Sequence, residues 1–343
     1  MLDIDGSYGT GGGQLVRNAV ALSALTGTPV RIRSIRAKRD RPGLAAQHLT
    51  AVRAVGEICG ARIEGLALRS NEIAFEPGPV RGGRFAFDVG TAGSIALVLQ
   101  ALLPVMVAAR AAFHVEVAGG TDVRAAPPLD YLREVLLPII ARMGAEVRLA
   151  VRRRGYFPRG GGIVEASVAP GELRPLRADA PGRLLRVGGA AHVAHLPAHI
   201  AERMRASAIA RLGAHAARAT CDAVVLQGEE AVGQGGALVM WAQCEHSVLG
   251  AGRVAERGLR AEVLGETVGT ELAADLDAGA ALDAHAADQM PVYLALAGGE
   301  SSFTTRELTE HARTAMWLIE RFLPVRFAAS REGMLTRICI SPG

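Results

Sequence analysis

Three stretches of this chain gather residue types that can handle phosphate. The first, DGSYGTGGGQLVRNAVALSALTG (residues 5–27), packs five glycines into nine residues ahead of an apolar, helix-like pattern. Glycines at a strand-to-helix turn let backbone N–H groups approach an anion, and the helix N-terminus adds favourable electrostatics. Neither common phosphate fingerprint fits. A Walker A loop needs Lys-Ser/Thr after its last glycine, where Gln14-Leu15 stand, and GxGxxG counted from Gly9 needs a glycine where Gln14 stands. On the glycines alone, a tight turn for close strand–helix packing is an equal alternative. The second stretch, RIRSIRAKRDR (residues 31–41), holds six basic residues and one acid, so the net charge of +4 is concentrated in one patch. Alone, such a run reads as a solvated strand and loop; beside a phosphate-type loop it points to an anionic polymer or nucleotide. In the third stretch, Asp288 and Gln289 of AADQM precede His311. Thr309 is placed to N-cap a helix in which Ala312, Ala315, Met316, Ile319, Phe322 and Leu323 keep helical spacing. His311 then sits in the first turn, where the imidazolium is disfavoured and the neutral, nucleophilic ring is kept. A histidine packed at a helix end is the competing reading.

Other chemistries find less support. Cys59, Cys221, Cys244 and Cys339 lie far apart with no CxxC or Cys/His ligand spacing, so no structural zinc and a reduced, cytoplasmic setting are expected. His192, His195 and His199 are spaced like metal ligands, but Pro197 breaks the helix that would align them, and ordinary strand and helix surface is the expectation. The apolar run at residues 94–109 is interrupted by Gln100 and Pro104 and is too short to span a bilayer. Lys38 is the only lysine, and its KRDR matches the KxDG of lysine nucleotidyl ligases only at the first and third positions.

The elements that must position these residues recur. GTGGGQLVRNAVALSALTG from Gly9 is echoed by GTAGSIALVLQALLP from Gly90, each a glycine turn entering an apolar helix. The helices that follow also correspond, QHLTAVRAVGEICGARIEG from Gln47 and DYLREVLLPIIARMGAEVRL from Asp130. ADQMPVYLALAGG and TEHARTAMWLIERFLPVRF form a third pair. The expected fold is α/β (α+β), three repeated units of two helices on a sheet. Between the second and third units, residues 184–279 read as an inserted small α/β domain, leaving residues 1–183 and 280–343 as the large repeat domain. Within the insert the pattern predicts a strand near Leu185, a helix in PAHIAERMRASAIARLGA, strands at CDAVVLQ and ALVMWAQC, and a helix around AEVLGETVGTELAADL.

Taken together, DGSYGTGGGQLVR, RPGLAAQHLTAV, GTAGSIALVLQALLP, GGTDVRAAPPLDYL, GYFPRGGG, ADQ and HARTAMWLIERFLPVRF resemble the RNA 3′-terminal phosphate cyclase family, colinearly over nearly the whole chain. The resemblance implies three α/β repeats with a smaller α/β domain inserted in the third. It implies an ATP-dependent ligase-type enzyme whose histidine, matching His311, becomes adenylylated and passes AMP to an RNA 3′-phosphate. The neighbouring 2′-hydroxyl then closes a 2′,3′-cyclic phosphodiester. Gln100, His285, Asp288 and Gln289 fall at adenine-nucleotide positions, and Arg17, Arg36, Arg39 and Gln47 where the terminal phosphate is held. The implied cofactors are ATP and a divalent cation, Mg²⁺ or Mn²⁺. The implied partner is RNA with a 3′-phosphate end, no membrane is involved, and a homodimer is left open. Two positions depart from the pattern. The family loop reads GEGGGQ, with a metal-binding glutamate where this chain has Thr10, which leaves the metal ligands unassigned; and His285 replaces a tyrosine that stacks near the adenine. The loss at Thr10 keeps open a non-catalytic, cyclase-like scaffold. Enolpyruvyl transferases share similar α/β repeats but lack this motif set.

Overall fold

The computed structural model describes residues 1–343. Strand β1 (Leu2–Asp5) leads through the glycine turn into α1 (Gly13–Thr26), which returns the chain to β2 (Val30–Arg33), parallel to β1. Leu15, Val16, Ala19, Val20 and Leu22 face inward at helical spacing, and Gly27 ends the helix with φ 68°, a left-handed conformation that glycine adopts without penalty. After α2 (Ala46–Cys59), β3 (Arg62–Glu64) and β4 (Ile73–Glu76) complete an antiparallel edge, giving the order β1-β2-β4-β3.

The same order and the same strand senses recur twice. Strands β5 (Gly83–Asp88), β6 (Phe113–Gly119), β7 (Val147–Gly155) and β8 (Gly162–Val168) are arranged β5-β6-β8-β7. The first connection is α3 (Ile95–Ala108), N-capped by Ser94, whose hydroxyl accepts from the Leu97 N–H. The second is one helical stretch made of α4 (Leu129–Tyr131), a π-turn at Leu132–Leu136 and α5 (Leu137–Arg142). Near the C-terminus, β9 (Arg177–Ala178) pairs parallel with β15 (Ser301–Thr305), and β16 (Val325–Glu332) and β17 (Leu335–Pro342) follow in the order β9-β15-β17-β16. Its helices are α8 (Ala284–Leu296) and α9 (Glu310–Phe322). Inward-facing side chains of all three sheets and their helices merge into one apolar core.

Between β9 and α8 the chain builds a fourth sheet. Its strands β10 (Leu184–Ala194), β11 (Ala219–Leu226), β13 (Gly235–Cys244) and β14 (Val248–Val254) have the order β11-β10-β13-β14. Helices α6 (Ala198–Arg211) and α7 (Ala261–Ala278) cover it over a separate core that includes Val187, Met204, Met240 and Leu272. The short β12 (Ala231–Val232) crosses to pair with β7 of the second sheet. His192, expected at the surface, is instead buried on β10 between Asp122 and Asp130. Those two carboxylates are bridged by the Arg154 guanidinium at 2.8–2.9 Å, which offsets the desolvation of all three charges.

Candidate active site

The glycine turn brings α1 against the start of α9. Gly9 adopts φ +56°, and a methyl there would collide with Thr314 Oγ1 of α9 at 2.1 Å, so only glycine allows this approach. Tyr8, next in the turn, stacks on Trp317 of α9 with ring centroids 3.7 Å apart. These contacts set Gln14 beside His311. His311 Nδ1 and Gln14 Oε1 are 2.8 Å apart, while Gln14 Nε2 donates to the Asp288 carbonyl at 3.2 Å. Because the amide nitrogen is committed to a carbonyl, its oxygen must face the histidine. His311 therefore donates from Nδ1, and Nε2, which has no partner within the protein, carries the free lone pair. Burial, followed by the positive charges of Arg39 and Arg17, holds the ring's pKa below its ordinary value. A neutral imidazole with an unprotonated Nε2 is the form that can act as a nucleophile.

A cavity of about 810 Å³ opens beside His311, and all nine residues singled out from the sequence line it. Thr309 caps α9 through the Ala312 N–H and donates its hydroxyl to Asp288. Burial pushes the Asp288 carboxyl up to about 6 against that hydrogen bond. A continuous chain then crosses the cavity wall: Arg17 Nη2 donates to Gln100 Oε1 at 3.1 Å, Gln100 Nε2 to Gln289 Oε1 at 2.8 Å, and Gln289 Nε2 to the His285 carbonyl at 3.2 Å. His285 opens α8, whose N-cap Asp283 accepts from the His285 and Ala286 N–H groups, from Gly250 and from the Tyr131 hydroxyl. The His285 ring meets Tyr131 edge-on.

The basic stretch divides its labour. Arg36, in a left-handed conformation at φ 54°, donates to the Arg41 and Gly43 carbonyls and so builds its own loop at the cavity edge. Arg39 reaches the glycine turn with no carboxylate partner, and Lys38 donates to the Gly9 carbonyl. Gln47 of α2 accepts from the Ser94 N–H at the second glycine turn. Of the carboxylates elsewhere on the wall, Asp275 is paired with Arg306 and Glu271 with Arg253. No three His, Cys, Asp or Glu side chains converge on a metal position. Thr10 is 3.4 Å from His311 Nδ1 and brings no charge. At the glycine turn a divalent ion would meet only the neutral Thr10 hydroxyl in place of a carboxylate.

The profile of a family described as RNA 3′-terminal phosphate cyclase matches residues 8–329. The chain belongs to the RNA 3′-terminal phosphate cyclase family. It is 52% identical to an RNA 3′-terminal phosphate cyclase of Nitrosospira multiformis over 343 residues, covering all of this chain and 97% of the relative. Relatives with the same description from Hyperthermus butylicus and Methanopyrus kandleri are 46% and 45% identical, each over 330 residues, with 94% and 95% of this chain and 92% and 94% of the relative covered. No helix of this cyclase-family chain is long and apolar enough to cross a membrane.

Two residues of the cyclase cavity escaped the sequence reading. Gln14 was visible only as the residue that spoils two glycine motifs, although a side-chain amide directly after a glycine turn is placed to reach across a helix N-terminus. His48, inside QHLTAV, gave no signal because a single histidine on an apolar helix face reads as core.

Proposed function

We propose that the protein uses ATP to convert an RNA 3′-terminal phosphate into a 2′,3′-cyclic phosphodiester through an adenylylated His311. The observation that carries this is the hydrogen-bond pair of Gln14, which leaves His311 Nε2 unprotonated at the cavity. Nε2 attacks the α-phosphorus of ATP; a P–N bond forms, the bond to the bridging oxygen breaks, and pyrophosphate leaves. An oxygen of the RNA 3′-phosphate then displaces the histidine, giving an RNA-adenylate anhydride and restoring the lone pair. The 2′-hydroxyl attacks the activated phosphorus, loses its proton and expels AMP. Splitting the reaction this way gives each displacement a good leaving group.

Arg17 and Arg39 flank the ring and offset phosphate charge as two anions meet. Gln100, His285, Asp288 and Gln289, linked in one network, are assigned to the adenine nucleotide. Arg17, Arg36, Arg39 and Gln47 are assigned to the terminal phosphate, with Arg36 acting partly by shaping its loop. Mg²⁺ or Mn²⁺ would arrive with the triphosphate, on phosphate and water oxygens, since the chain contributes only Thr10 at the turn. Residues 184–279 are assigned as an inserted domain that closes one side of the cavity through β14 and α7. Incubating a 3′-phosphate RNA oligonucleotide with ATP tests the reading: the terminal phosphate should become resistant to phosphatase with one AMP released per end. An end that stays phosphatase-sensitive would favour a non-catalytic scaffold.

A further inference from the structure

Tyr8, Gly9 and Thr10 of the glycine turn run along α9 against Trp317, Thr314 and His311, each about one helical turn from the next. Thr10 Oγ1 is 3.4 Å from His311 Nδ1, and a methyl on Gly9 would meet Thr314 Oγ1 at 2.1 Å. The Tyr8 and Trp317 rings stack with centroids 3.7 Å apart and planes 13° from parallel. The Arg321 guanidinium carbon lies 4.2 Å from the Trp317 ring centroid, too close to share a face with Tyr8, so it takes the opposite one. Trp317 is thus covered on both faces, whereas Tyr8 is 41% exposed and has no second ring or cation against it. One aromatic face is left open at the end of an Arg-Trp-Tyr stack, outside the cavity that holds His311. Cations border it. Lys38 donates from Nζ to the Gly9 carbonyl at 3.2 Å, and Arg39 Nη2 would lie 3.1 Å from a methyl on Gly12. Lys38, Arg39 and Arg321 make no salt bridge, so their charge is free for a polyanion.

We propose that the open face of Tyr8 is a stacking platform for an RNA nucleobase upstream of the 3′-terminal phosphate. This rests on the cyclase reading and gives its RNA a base subsite separate from the phosphate and adenosine positions. Anchoring the turn uses only one face of Tyr8; an uncovered aromatic face bordered by unpaired cations is the combination that holds single-stranded nucleic acid. Trp317 lies six residues beyond His311, about 9 Å along the helix, which matches two to three nucleotides at about 3.4 Å each. The occupant is therefore the second or third base from the end, turned out onto Tyr8. Stacking reads the face of a base and not its edge, so the subsite accepts any base. In a duplex the faces of those bases are already covered by their neighbours, so the subsite favours a single-stranded end.

Binding of a short single-stranded RNA with a 3′-phosphate is measured for wild type, Tyr8→Phe and Tyr8→Leu, the oligonucleotide being intact or carrying an abasic sugar at the second or third position from its end. Charging of each protein with labelled ATP, without RNA, is measured alongside. Removing the base at one of these positions should weaken binding to wild type and to Tyr8→Phe by a factor of about 5 to 150, the range for one base stacked on an aromatic ring. Tyr8→Leu should bind intact RNA as weakly as wild type binds the abasic one, and lose nothing more when the base is removed. An abasic penalty that persists in full in Tyr8→Leu, or is absent from wild type at both positions, would overturn the proposal. Because Tyr8→Leu also removes an anchor of the turn, 4-thiouridine at the same positions is photocrosslinked to wild type: the label should map to the peptide carrying Tyr8, and mapping elsewhere would overturn the proposal too. A wild type that shows the abasic penalty and the crosslink but does not charge would overturn the cyclase reading and leave the base subsite standing.

Discussion

Replacing Arg39 by Ala should move the acidic limb of His311 charging to higher pH. The reactive ring is neutral, and its pKa is held below the ordinary 6.5 by burial first and by Arg39 second. Charging is therefore complete above that depressed pKa and lost as pH falls through it. A methyl on Gly12 would lie 3.1 Å from Arg39 Nη2 and 3.9 Å from His311 Cε1, so guanidinium and imidazole are within about 7 Å of one another. At that separation a unit charge opposes protonation by about 0.6 kcal/mol in a water-like dielectric and by about 2.4 kcal/mol at an effective dielectric of about 20. Arg39 is exposed, which places the effect near the lower figure, about half a pH unit. The assay is the rate of AMP incorporation at saturating ATP, without RNA, between about pH 4.5 and about pH 8. Arg39→Ala should shift the midpoint up by about half a unit, and salt at about 1 M should shift the wild type the same way, because the Debye length falls to about 3 Å. Using the midpoint rather than the rate sets aside any loss of phosphate binding. A midpoint that stays put, or moves to lower pH, would refute the claim that Arg39 helps to keep the histidine neutral.

Gln14→Ala should slow charging by about three- to tenfold, the worth of one net hydrogen bond, because nothing then commits the proton to Nδ1; single-turnover labelling measures it. Arg154→Met should cost about 3–5 kcal/mol in denaturant unfolding, since it leaves Asp122 and Asp130 as buried carboxylates facing each other, and a loss under about 1 kcal/mol would mean that water reaches them. Thr10→Glu should lower the Mg²⁺ concentration needed for half-maximal charging by placing a carboxylate at the glycine turn; an unmoved or higher requirement would show that the turn lacks no ligand.

The elements were legible where sequence carries period. The runs that end in Gly27, Gly60 and Gly279 all become helices, and Thr309 caps α9 through the Ala312 N–H. Residues 94–109 become α3, buried nearly all round, which is why its apolar residues show no clean stripe. Short pairings were not legible: β9 and β12 are two residues each and exist only through partners far along the chain. Strand β14, rich in glycine and alanine, carries too little apolar alternation to announce itself. The burial of His192 likewise depends on Asp122 and Asp130, some sixty to seventy residues upstream in sequence. At the site, residue types marked His311, Asp288 and the arginines as candidates. The tautomer of His311 could not be read, because it is decided by what each end of the Gln14 amide touches.

The central claim is that His311 Nε2 takes AMP from ATP. Incubating the protein with ATP labelled at the α-phosphate, followed by denaturing electrophoresis and peptide mapping, tests it most directly. The account predicts one label per chain, acid-labile as a phosphoramidate, on the peptide carrying His311, and none on His311→Asn with its fold intact. Label that survives in His311→Asn and disappears in Lys38→Arg would contradict it, as would a wild-type protein that binds ATP and retains no label.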